Sequence, residues 1–112
     1  MNDFRSELKL HDHSTVDFPA YQTIPAGDYF MSIQAHDGAY CTPRETVPLE
    51  TYTAFEVAIF DEGENWVIPP DTLAQFDWAS RFETGETTSV AGWLSIETIE
   101  RMRADLIALS TT

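Results

Sequence analysis

Apolar and polar residues alternate along two stretches of the chain with the period of two that turns one face of a strand toward a core. In residues 29–35, Tyr29, Met31 and Ile33 alternate with Ser32 and Gln34, which predicts a half-buried strand after a turn at Pro25, Gly27 and Asp28. In residues 53–60, Phe55, Val57 and Ile59 share one face and Glu56 interrupts the other. Asp61, Glu62, Gly63, Glu64 and Asn65 then supply a reversal into Trp66, Val67 and Ile68, the return arm of a hairpin that Pro69 and Pro70 end. Residues 90–94 predict another short strand, in which Gly92 marks a bend or a close backbone approach.

After Ser95 the period changes to that of a helix. Ile96, Ile99, Met102, Leu106 and Leu109 form one apolar stripe, Ser95 is a suitable N-cap, and Glu97 lies in the first turn, where the helix dipole favours an acid. On the opposite side Glu97 with Arg101, and Arg101 with Asp105, have the i,i+4 spacing of opposite-charge pairs, each worth a few tenths of a kcal/mol. The remaining segments are less regular. Phe4, Leu8 and Leu10 suit a short helix or an extended arm, and Pro43 and Pro48 make residues 36–51 an ordered loop. Leu73, Phe76, Ala79 and Phe82 recur every third residue, which suits either a short helix capped by Asp71 or an irregular loop pinned by its aromatic residues. The fold class expected is α+β: a small, mostly antiparallel sheet of three to four strands packed by a C-terminal amphipathic helix. Of Trp66, Trp78 and Trp93, at least two are expected in the core.

Length allows one domain, residues 1–112, and the seven Phe, four Tyr and three Trp supply enough apolar area to set against chain entropy. Charge changes the picture more. Nineteen acids against six Lys and Arg give a net charge of −13, beyond the magnitude of about 2–8 that suits a small soluble domain. Residues 45–100 hold Glu45, Glu50, Glu56, Asp61, Glu62, Glu64, Asp71, Asp77, Glu83, Glu86, Glu97 and Glu100 against one base, Arg81. Nucleic acid and anionic membranes are therefore not expected as direct partners, because their phosphates repel such a chain, whereas a basic protein surface attracts it. No apolar run approaches the ~20 residues that cross a bilayer, and Met1, Asn2, Asp3, Phe4 and Arg5 lack the pattern of a secretion signal, so a cytoplasmic location is expected. The single Cys41 has no second Cys for an internal disulfide, in keeping with a reducing compartment.

Few residues suggest chemistry. His11, Asp12 and His13 place two imidazoles on one side of an extended backbone, but a closed metal site needs four ligands, and no spacing brings His36 and Asp37 to them. Cys41 follows His36 by five positions without the third group that orients a catalytic base, and reads as a small buried apolar residue. Asp61, Glu62 and Glu64 crowd one turn, yet lack the order of a calcium-binding loop. The nucleotide-binding, zinc-protease and serine-hydrolase signatures are absent. Neither an enzyme nor a cofactor nor a metal is expected.

A duplex carries one charge per ~1.7 Å of axis, so a protein that imitates it must hold carboxylates repeatedly on a rigid surface. Here the acids are interleaved with strands and aromatic residues. In size, charge and scarcity of motifs the chain resembles the small acidic proteins of bacteriophages and mobile elements, including anti-CRISPR proteins, some of which mimic DNA. The resemblance covers composition over the whole chain, and no motif carries it. It implies a non-enzymatic inhibitor in a bacterial cytoplasm that occludes a Lys/Arg-lined nucleic-acid path on a CRISPR effector or its nuclease. The carboxylates expected to meet that basic, nucleic-acid-binding partner are Asp61, Glu62, Glu64, Asp71, Asp77, Glu83 and Glu86. The alternative is a phage structural or adaptor protein that self-associates through an apolar interface.

Overall fold

A computed structural model describes residues 2–12, 14–15 and 19–111. Five strands, β1 (Ile24–Ala26), β2 (Tyr29–Gln34), β3 (Ala54–Phe60), β4 (Glu83–Thr84) and β5 (Ser89–Ser95), form one antiparallel sheet in the order β1-β2-β3-β5-β4. The α+β class is as expected, with one strand more than the upper count. The two strands without a counterpart in the sequence reading are edges: β1 contains Pro25, which an edge tolerates, and β4 is only two residues long. Neither carries enough alternation to be read from sequence.

The predicted alternation is realised on one sheet face. Met31 and Ile33 of β2, Phe55, Val57 and Ile59 of β3, and Ala91 and Leu94 of β5 are buried together. Against them packs α2 (Ile96–Ser110), through Ile99, Met102 and Leu106. Its N-cap is Ser95, whose hydroxyl accepts from the Thr98 amide at 3.2 Å. A 3-10 turn, Phe4–Glu7, closes the core from the N-terminal side with fully buried Phe4, edge-on to Phe55 at 5.3 Å. Two side chains of α2 hold that turn: Glu100 accepts from the Phe4 amide, and Arg103 grips the Glu7 carboxylate with both terminal nitrogens.

Several local expectations are revised. Trp66–Ile68 does not become a hairpin strand; only a single bridge joins Trp66 to Phe60, and Pro69 and Pro70 open a short helix, α1 (Pro69–Thr72). Proline preorganises the first helical turn, where its missing N–H is not needed, so the pair acts as a start signal as well as a stop. Asp71 lies inside α1, and the N-cap position is Ile68. Residues 73–82 hold a 3-10 turn, Asp77–Arg81, with Leu73, Trp78, Ala79 and Phe82 buried, which is the aromatic-pinned form of the two readings. The expected surface pairs of α2 give way to tertiary contacts. Arg101 meets Asp77 at 3.2 Å, and half-buried Asp105 accepts from the indole N–H of Trp78 at 2.9 Å.

Candidate protein-binding surface

Strand register decides where the carboxylates gather. Phe30 faces Phe60 across β2 and β3, so the β1–β2 turn at Gly27 and Asp28 lies at the end of the sheet where β3 runs into Asp61 and Glu62. Val57 faces Ala91, and Thr84 faces Ser89, so the β4–β5 turn that carries Glu86 emerges at that same end. The C-terminus of α2 arrives there too, because the Ser110 hydroxyl accepts from the Asp28 amide at 2.8 Å and donates to Leu106 O at 2.8 Å. That helix end has no base in its last turn, so its dipole adds negative potential.

The loop after β3 is built by Asp61. Its Oδ1 accepts from the amides of Gly63 at 2.9 Å and Asn65 at 3.0 Å, and the Glu64 amide bonds back to Asp61 O at 3.0 Å. Glu64 takes a left-handed φ of 63°, which the closed turn holds in place. Asp61 thus fixes the loop, while Glu62 and Glu64 extend into solvent. A hollow of about 530 Å³ lies between this loop and the outer sheet face, with Phe30 and Phe60 among its lining. Trp66, 38% exposed, packs on Phe60 with ring centroids 4.7 Å apart. Asp71 of α1 shares a neighbouring hollow with Asp61 and Trp66. Asp28, Asp61, Glu62, Glu64, Asp71 and Glu86 thereby form an anionic end of the molecule, and none of them enters an ion pair among the described residues.

Five of the seven carboxylates singled out in the sequence are at this end, and two are elsewhere. Asp77 is paired with Arg101, and Glu83 is on the edge strand β4, near Arg81. Asp28 was missed, because a lone acid in a turn gives no sign of the register that brings it beside Glu62. Among the described residues, three bases are engaged by acids: Arg5 with Asp3 at 2.8 Å, Arg101 with Asp77, and Arg103 with Glu7.

At the other end of β3 and β5 lies a second exposed feature. Phe55 faces Leu94 but Val57 faces Ala91, so Gly92 and Trp93 together oppose Glu56 in a bulge. Trp93 adopts φ 53°, a left-handed conformation that costs a bulky residue on the order of 1–2 kcal/mol. Its amide donates to Tyr40 O at 2.8 Å, and its ring stacks on that of Tyr40 at 4.9 Å and 21°. Gly92 permits this approach, since a Cβ there would lie 2.7 Å from Tyr40 Cβ. Glu56 Oε2 accepts from the Tyr40 amide at 2.9 Å, and Arg44 sits 5.1 Å from the Tyr40 ring centroid. Trp93 is 53% exposed and Tyr40 40%, which corrects the expectation of two core tryptophans: only Trp78 is buried.

Among the described residues, those considered for catalysis or metal binding form no grouped set of ligands. His13 lies outside the described residues, and among the described residues no three His, Cys, Asp or Glu side chains are grouped to hold a metal ion. The buried Cys41 thiol donates to the carbonyl of His36 at 3.2 Å and sits 3.3 Å from that of Pro43. Burial pushes the thiol pKa up, which leaves it a weak nucleophile at neutral pH. No described helix is long and apolar enough to cross a membrane. No family model matches the chain, and no curated protein or solved structure matches it either.

Proposed function

We propose that this protein is a non-enzymatic inhibitor that binds the basic, nucleic-acid-handling surface of another protein through the anionic end of its sheet. The observation that carries this reading is the convergence of Asp28, Asp61, Glu62, Glu64, Asp71 and Glu86 on one end without a neutralising cation among the described residues. A carboxylate array held by paired strands and a closed turn loses little entropy when a Lys/Arg groove meets it, and association with it is steered and salt-sensitive. Trp66 and the Phe60 ring beside it add an aromatic contact of the kind that anchors interfaces. The compositional resemblance to anti-CRISPR proteins names the first target class to test, a CRISPR effector or its nuclease.

The test is a pull-down at low salt from lysate of a bacterium with an active CRISPR system, using the wild-type chain and a variant with Glu62, Glu64 and Asp71 changed to Lys. The expected result is a nucleic-acid enzyme held by wild type alone, released by rising salt and displaced by duplex DNA. Recovery of the same proteins by both chains counts against the proposal, as does retention that salt does not weaken.

A further inference from the structure

The Tyr40–Trp93 stack takes no part in the anionic end, and the fold does not need it for its core. A tryptophan held in a left-handed backbone conformation with half its surface in solvent is an unfavourable arrangement for a free monomer. The charges around it are also unlike the rest of the molecule. Arg44 lies over Tyr40, Arg81 and Glu83 line the same hollow of about 200 Å³ as Tyr40 and Trp93, and Glu56 is bonded to the Tyr40 amide. Two bases and two acids make this patch mixed in sign on a chain of net charge −13.

The geometry points to a second copy of this chain as the occupant: the Tyr40–Trp93 platform is a two-fold dimer interface. A two-fold contact brings the same patch to itself, so it requires self-complementary charge, and a patch bearing both Arg81 and exposed Glu83 offers it. About an axis near Trp93, the two indoles stack and each Arg81 faces Glu83 of the other copy. A basic partner is drawn to the anionic end instead, whereas two copies can pair the unlike charges of this mixed patch. Because the platform is at the opposite end of β3 and β5 from Glu62 and Glu64, the dimer leaves the loop that bears them free in both copies, which makes the assembly bivalent toward a basic partner.

Sedimentation velocity of the full chain, from about micromolar to about millimolar, reads the association directly. Wild type is expected to pass from monomer to dimer, and added salt should strengthen the dimer by screening the repulsion between two anionic molecules. Salt should weaken partner binding at the anionic end, so the two interactions separate by the sign of their salt response. W93G, which relieves the left-handed strain, should remain monomeric at every concentration with a thermal midpoint no lower than wild type. R81E should also lose the dimer, and R81E combined with E83R should regain it, because the pair is exchanged in both copies. A wild-type chain that stays monomeric at the highest concentration overturns the inference, and so does a W93G chain that dimerises like wild type. Failure of the exchange variant to regain the dimer lost in R81E removes the Arg81–Glu83 contact. A chain with Glu62, Glu64 and Asp71 changed to Lys should dimerise at least as well as wild type, so loss of partner binding and loss of dimer are separable results.

Discussion

Asp105 illustrates how far a residue's role depends on what lies opposite it. By spacing it belongs to an outer-face ion pair with Arg101, but the fold sets it against Trp78, the one fully buried tryptophan, whose indole N–H it accepts at 2.9 Å. D105A would leave that donor buried and unpaired, a loss of about 1–3 kcal/mol. D105N keeps an acceptor oxygen and should lose less. Urea denaturation of both variants checks the order, and equal losses would mean that packing around position 105, not the hydrogen bond, sets the cost. The same dependence explains why Trp66 and Trp93 depart from the core position their hydrophobicity predicts. Their number and hydrophobicity say nothing of the bulge at Gly92 and Trp93, which turns Trp93 outward, or of the single bridge that leaves Trp66 at the mouth of a hollow. At Gly92 the signal was present, since a glycine inside a strand pattern marks a bend or a close approach, and Tyr40 makes that approach.

Among elements, β2, β3 and α2 were legible because each buries one face against a common core and repeats its pattern over six residues or more, while β5 was legible only as a short apolar run whose bulge breaks the period. The edges β1 and β4 and the 3-10 turns were not, because they are set by tertiary partners. The N-terminal turn is the clearest case. Phe4–Glu7 has no period of its own, and α2 holds it through Glu100 and Arg103. The hydrogen bonds from Arg103 hold the Glu7 carboxyl below its ordinary pKa of 4.5, with burial opposing and the Arg103 charge assisting. A carboxylate whose pKa is depressed on folding contributes stability that is full above the unfolded value and is lost as pH falls through the folded one. Wild type should therefore exceed E7Q in urea stability by a constant margin at neutral pH, and the margin should close as pH falls below about 4.5. A margin that persists unchanged at about pH 3 would show that the amide loses something other than the charged contact.

For the molecule as a whole, the count of acids was readable and their arrangement was not. Charge runs along the chain in the order of the sequence, but the sheet reorders it. Register brings Asp28, Glu62 and the turn bearing Glu86 to one end, while Asp77 is neutralised by Arg101 and Glu83 joins the mixed patch on the edge strand. The functional reading thus makes position, not net charge, the determinant of binding. The direct test uses two variants with equal charge change and measures their affinity for the enzyme captured by wild type, by displacement of a fluorescent duplex at several salt concentrations. One reverses Glu62, Glu64 and Asp71 at the anionic end to Lys, and the other reverses exposed Asp37, Glu45 and Glu50 elsewhere. The first should lose affinity by about 100-fold or more at low salt and show a shallower salt dependence, while the second stays within about tenfold of wild type. Equal losses in the two variants would contradict the account, because net charge alone would then explain the binding.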